Sequence, residues 1–409
     1  MLKAFPASDL HERLAGFDAG VLAPQERTRA LERFFTVPSG RAHPGRYWRV
    51  DIEGIVPQAS TIAAADGRMT IGPGREQLAT PAGTMTIDNP HPRALACDIV
   101  TAAGVHGPLF ARAFGATGIG ATKFGALTTA FAQLGAFVYL PADVAADAPI
   151  TISYVAAPGQ TLFPYTVVLA ERGARATVIE RFSGGGSFVC GVDEIVAEPG
   201  ADVTFATYQD LSPDARFVAT RAAKAERDVT VAWVCAELGS ALAVTDVSVA
   251  IAGPGVAAHV TALFFPRDSQ HVDAITTIDH AVGDSTSETL VKSAAVDRGQ
   301  ARFLGNIRIA AKAQGSDANL RDDALLLSAR AHIDSVPALE IAANDVKAYH
   351  GATVGAIDAE QIFYMESRGI ARDAAERMIA LGFFEPAIAH FPTGALRDEL
   401  RAALAAKLA

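Results

Sequence analysis

Cysteine is scarce in this chain: Cys97, Cys190 and Cys235 form an odd-numbered, widely spaced trio. Such spacing builds neither a disulfide framework nor a zinc site, and three thiols fall short of the four that usually hold an iron–sulfur cluster. They are expected to be small buried hydrophobes. Aromatic residues are only 7% of the sequence, so its 50% hydrophobic content rests on Ala, Val, Leu and Ile. A basic surplus is absent: 35 Lys plus Arg stand against 45 Asp plus Glu, a formal charge of −10. That balance argues against nucleic-acid binding. No apolar run approaches the ~20 residues needed to cross a bilayer. Behind Lys3 the opening stretch has no continuous apolar segment of the kind a secretory leader carries. A cytoplasmic chain with no membrane or nucleic-acid partner is expected.

Phosphate-loop, nucleophile-elbow and His-Glu-x-x-His motifs are also missing. The loop from Gly115 to Lys123 lacks the strand and third glycine of a dinucleotide fingerprint and reads as a turn.

A chain of 409 residues has room for two or three domains, and its text changes character twice. Residues 1–145 read as a helical and mixed region. Ser8 and Asp9 are positioned to cap a segment carrying Leu10, Leu14 and Phe17, and a second helix starts near Pro24 and carries Leu31, Phe34 and Phe35. A further helix is expected from Lys123 through Leu134, closed by Gly135. Residues 146–352 then show short β-branched runs without helical periodicity. Similar small-residue steps introduce several of them, at Gly173 to Val178, Gly200 to Phe205 and Gly239 to Val244. Their irregular spacing predicts a solenoid with coils of variable length; a single sandwich would be unusually long. Residues 353–409 return to helix. Asp358 caps the first, Gly369 closes it, a second runs from Arg372 to Gly382, and a third aligns Leu396, Leu400, Leu404 and Leu408. That leucine stripe suits either docking or core packing.

Two places carry candidate chemistry. Between Asp268 and Glu288, His271, Asp273, Asp279, His280 and Asp284 gather imidazole and carboxylate groups suited to metal or acid–base work. A solvated face of strands and turns explains the same residues. His350, ahead of Gly351 and Gly355, is expected at an accessible strand-to-turn junction, titrating near neutrality or serving as a hydrogen-bonded junction residue.

The run Leu325 to Ser328, Asp334, Pro337, Leu339 to Ile341, Asp345 to Lys347, His350 to Thr353 and Asp358 resembles the SufB/SufD family of iron–sulfur cluster assembly proteins. Gln361 to Tyr364 and Ser367 to Ile370 continue the likeness, and upstream His271, Asp273, Thr277, His280, Ser287, Lys292, Asp297 and Asn306 follow the same spacing. The wording around His350 and Ser367 is most similar to SufD. The resemblance spans about residues 120 to 382, while the first ~110 residues match weakly.

The resemblance implies a mainly β fold: a right-handed parallel β-helix flanked by N- and C-terminal helical regions. It implies a non-enzymatic subunit that pairs with a SufB-like paralogue and binds a SufC-like ABC ATPase, with a homodimer as the alternative for the isolated chain. Under it His350 becomes a metal-facing residue shared with the partner, and Phe363, Met365, Arg368, Ile379 and Phe383 become the ATPase-docking set. No cofactor would be held tightly by this chain alone; the iron–sulfur cluster would be transient in the complex and ATP would sit on the ATPase. Relatives often carry Cys two residues before this histidine, and here Ala348 stands instead. The rival readings are a SufB-type scaffold holding the cluster itself and a β-helix carbohydrate-active enzyme using Asp273 and Asp279.

Overall fold

A computed structural model describes residues 7–15, 21–38, 47, 50, 68–72, 74–132, 134–186 and 188–408. Its body is the expected parallel β-solenoid, of about eight turns, with helices at both chain ends. Each coil contributes one strand to each of two sheets, one of 11 strands and one of 10. In the first sheet the parallel ladder runs from Ile150–Ala156 through Arg175–Gly184, Asp202–Leu211, Thr230–Glu237, Ala257–Phe264, Thr286–Ala295 and Asp317–Leu326 to Lys347–Ala356. The second runs in parallel from Leu134–Leu140 to His332–Ile341. Coil length varies as expected: 27 residues separate Arg175 from its register partner Asp202, and 31 separate Thr286 from Asp317.

A repeated turn sets this geometry. Two residues before successive first-sheet strands stand Gly173, Gly200, Asp228, Gly255, Asp284 and Gly315, all with positive φ. Their amides stack along the solenoid, as where Asp228 N–H donates to Pro254 O at 2.9 Å and Gly255 N–H to Asp284 O at 2.7 Å. Gly and Asp are the residues that tolerate this left-handed conformation. Where an Asp occupies one turn, the next must be Gly: a Cβ on Gly255 would lie 2.1 Å from Asp228 Oδ1, and one on Gly315 would lie 2.5 Å from Asp284 Oδ1.

Many of these strands are buried on both faces. Inward side chains such as Val178, Phe205, Trp233 and Val260 fill the lumen, while the outward faces of the middle coils are covered as well. Helices α1 (Ala7–Ala15), α2 (Pro24–Thr36) and α5 (Lys123–Phe131) lie over Cys190, Val218, Val244 and Ile275 of the second sheet. Between α2 and α5 come α3 (Ile99–Val105) and the short α4 (Gly107–Phe110). Strands buried on both faces read as continuous apolar runs. After the solenoid, α6 (Ala359–Ser367) leads to α7 (Arg372–Ile388) and α8 (Gly394–Lys407), and the last two pack on Ala206, Val234 and Leu263 of the first sheet.

Several local expectations change. Helix α5 ends at Phe131, and Leu134 and Gly135 belong to the strand Leu134–Leu140. Gly135 is needed there because a Cβ would meet Tyr165 O at 2.0 Å. Ser8 and Asp9 lie inside α1 rather than before it, and Phe17 falls outside the described residues. Helix α7 continues through Gly382 and even Pro386 to Ile388. Burial of Phe384, Ala387 and Ile388 against the sheet offsets helix penalties of ~1 kcal/mol for the glycine and ~3 kcal/mol for the proline. The leucine stripe of α8 is spent internally: Leu396, Leu400 and Leu404 are fully buried against this chain's own solenoid.

Candidate functional site at the open end of the solenoid

The covering layers stop before the last coil. Strands His332–Ile341 and Lys347–Ala356 are the outermost members of the two sheets at this end, each with one free edge. Apart from half-buried Ala348, every side chain of Lys347–Ala356 is exposed; Tyr349 is 59% accessible on the outer face and Val354 44% at the lumen mouth. An exposed edge of this length is a template for pairing with another chain.

His350 sits within this edge strand, not at a strand-to-turn junction as the sequence suggested. Its register partner is Leu320, which follows Thr289 and Val260, so the imidazole occupies the inward row and marks the rim of the lumen. Its exposure follows because, among the described residues, no further coil lies above it. Register places Ala352, two residues on, beside Asp322 of the preceding strand. Asp322 is buried, accepts a hydrogen bond from Ser335 Oγ, and burial pushes its carboxyl up to about 6.

The outer face of the same coil is wired to the helices. Lys292 Nζ contacts Asp323 Oδ2 at 2.7 Å, and Thr353 Oγ1, on the His350 strand, donates to Asp323 Oδ1 at 2.8 Å. The Phe383 ring of α7 lies over the Lys292 ammonium at 4.5 Å. Phe383 is therefore a half-buried packing residue, and Ile379 is half-buried as well. Met365 is half-buried too, whereas Phe363 is 72% exposed, as is Met378 at 55%. Arg368 is exposed and stacks its guanidinium on Tyr364, 5.2 Å from the ring centre.

The Asp268 to Glu288 residues do not converge. Asp273 is buried and held by Arg302, Nη2 to Oδ1 at 2.7 Å, while Asp279 is exposed on the same strand. Six residues of extended chain separate the two carboxylates by about 20 Å, too far for a glycosidase pair at roughly 5–9.5 Å. His280 is buried between Ser285 Oγ and Ser287 Oγ, each 2.8 Å from a ring nitrogen, and burial holds its imidazole down at about 4. Glu288 faces solvent, 3.9 Å from His259. Asp273 and His280 thus have buried structural partners, while Asp279 and Glu288 lie on the solvated face.

All three thiols are free and buried, and burial pushes those of Cys97 and Cys190 up to about 12. None lies on the last coil. Among the described residues no three His, Cys, Asp or Glu side chains are grouped to hold a metal ion. A metal at His350 would need donors from another chain.

Sequence reasoning missed the charges inside the lumen. Glu180, Asp193, Arg221 and Glu237 are buried there; Arg221 reaches Asp193 Oδ2 at 3.1 Å through Nε and Glu237 Oε1 at 2.9 Å through Nη1. Glu180 accepts from Thr166 Oγ1 at 2.6 Å, and burial raises its carboxyl far above the usual range. The visible signal was carboxylates within apolar strand text, as at Asp193 and Glu194 between Val192 and Ile195.

Fold and site together define a class: a β-helical platform flanked by helices, with exposed apolar side chains on its last coil and on α6. The chain belongs to the SufBD family, since the model described as SUF system FeS cluster assembly, SufBD core domain, matches residues 153–383. It is 28% identical over 261 residues to an iron–sulfur cluster assembly SufBD family protein of Mycobacterium leprae, covering 63% of this chain and 30% of that one. A SufBD family protein of Staphylococcus saprophyticus is 27% identical over 275 residues, covering 66% of this chain and 59% of the relative. Bacillus subtilis SufB is 26% identical over the same length and shares. The match spans less than two thirds of each relative.

Proposed function

We propose that this chain is the SufD-like, non-catalytic subunit of an iron–sulfur cluster assembly complex in the cytoplasm. Its solenoid mouth pairs with a SufB-like paralogue, and α6 and α7 dock a SufC-like ABC ATPase. The observation that carries this reading is the uncapped last coil, with His350 on the rim of the lumen and Tyr349 and Val354 exposed beside it. Iron is the cargo. His350 would offer it one imidazole, and the thiolates would come from the paralogue, because all three thiols of this chain are buried away from the mouth. Imidazole replaces thiolate on iron in Rieske centres, so such a mixed donor set is chemically sound.

ATP-driven closure of the ATPase pulls on α6 and α7, and the motion reaches the mouth through packed groups. Phe383 over Lys292, Lys292 on Asp323, and Asp323 on Thr353 form a continuous series of contacts from α7 to the His350 strand. This series supports a remodelled junction that admits iron or a nascent cluster.

The test uses Val354→Lys, which places a charge at the mouth without touching α6 or α7. Tagged protein carrying it is expected to lose the paralogue while retaining the ATPase. Retention of both partners would place the pairing surface elsewhere.

A further inference from the structure

Asp322 differs from most of the buried carboxylates in having no cation beside it. Asp193 and Glu237 share Arg221, Asp273 has Arg302, and neighbouring Asp323 is met by Lys292, Arg321 and Thr353 on the outer face. Asp322 points the other way, in the inward row with Val291 and Ala352, and its one hydrogen-bond donor is the Ser335 hydroxyl. Its Oδ1 is buried and has no partner among the described residues. A carboxylate buried without a cation is costly, and such orphaned oxygens mark absent water or an absent ion.

Glu180 also lacks a direct cation, but it lies deep in the closed solenoid, where burial raises its carboxyl well above the usual range. Asp322 differs in place. It lies one coil behind the open mouth, on the strand next to that of His350. On the adjacent strand behind it, Thr289 Oγ1 and Ser293 Oγ in the same inward row are orphaned as well. His350 is its diagonal neighbour on the adjacent strand in the same inward orientation. Strand spacing and rise set those two positions about 8 Å apart, a gap that an imidazole, a carboxylate and one metal ion between them can span.

We propose that Asp322 is a second metal-facing donor of this chain: with His350 it gives an incoming divalent ion one oxygen and one nitrogen ligand, leaving the other positions to the partner. The proposal rests on the reading of His350 given above. It assigns hard-oxygen character to the mouth and so favours entry of a divalent ion such as Fe(II) before sulfur arrives. Two donors from one chain make a weak site alone and a complete one only at the junction.

The probe is Co(II), titrated anaerobically to millimolar concentration into the full-length chain, with binding read from its visible ligand-field bands. Asp322→Asn and His350→Ala are each expected to weaken binding about tenfold and to remove the same band. Asp279→Asn, exposed on a distant strand, should change it less than about twofold. If His350→Ala weakens binding and Asp322→Asn does not, the assignment of Asp322 is overturned while the reading of His350 stands. If the wild type binds no Co(II), or neither variant alters binding, both are overturned. Circular dichroism verifies folding of each variant, and Asp322→Ser, smaller and also uncharged, serves where the amide disturbs the coil.

Discussion

The stacked turns make a quantitative prediction at Gly255. Substitution by Ala places a β-carbon on a residue with φ of +73°, 2.1 Å from Asp228 Oδ1. The left-handed backbone costs an L-residue about 1–2 kcal/mol, and reduced freedom of the unfolded chain returns roughly 0.4–1 kcal/mol. The clash adds to this, because the Asp228 carboxylate must leave its rotamer, at a cost of order 0.5–1.5 kcal/mol. Gly255→Ala should therefore destabilise by about 2 kcal/mol. In an Asp228→Gly background the clash vanishes, and the same substitution should cost only the backbone part, about half as much. The four proteins of this cycle are compared by the denaturant concentration at half unfolding, together with hydrogen exchange at the Gly255 amide, which bonds Asp284 O at 2.7 Å. Solenoids can unfold in stages, and exchange reads this turn locally. Equal cost in both backgrounds would refute the claim that Asp in one turn dictates Gly in the next.

Other outcomes follow from the same geometry. Burial lowers the His280 imidazole from 6.5 to about 4, so the unfolded chain binds the proton first as pH falls. Stability should then be lost between about pH 6.5 and 4, by up to about 3 kcal/mol, and melting of His280→Gln across that range should show a shallower slope. Leu400→Ala on α8 should cost about 2–5 kcal/mol in thermal unfolding, since the side chain is fully buried against the solenoid; a surface-like effect below about 0.5 kcal/mol would contradict that packing. Phe363→Ser with Met378→Ser should weaken ATPase capture at least tenfold in a pull-down without lowering the melting temperature, because both side chains face solvent. Unchanged capture would move the docking surface off α6 and α7.

Much of the architecture was readable in residue order, and the reasons are specific. Gly173 and Gly200 announced strands because only certain residues accept the left-handed turn, and Gly369 announced the end of α6 for the same reason. The row structure of the lumen was hidden, since helices cover the outer faces and erase the alternation that would separate inward from outward residues. The boundary at Phe131 was missed because Gly135 looks like a helix stop, whereas its lack of a β-carbon serves a close approach to Tyr165. His350 stood out by motif, but its place on the lumen rim depends on register over several coils. Asp322 gave no signal: with Arg321 and Asp323 on either side it reads as part of a solvated charge run, and strand parity alone turns it inward. Gly382 and Pro386 suggested an end to α7 that burial of Phe384 and Ile388 overrides.

The central claim is that the open coil and the flanking helices join this chain to a thiol-bearing paralogue and an ABC ATPase. Anaerobic affinity purification of the tagged chain from its own cells, with mass spectrometry and light scattering, tests it most directly. The expected result is one copy of this chain with one paralogue and two ATPase subunits, and less iron in the complex when His350 is replaced by Ala. A chain that elutes alone with ATP present, or a complex whose iron content ignores His350, would contradict it.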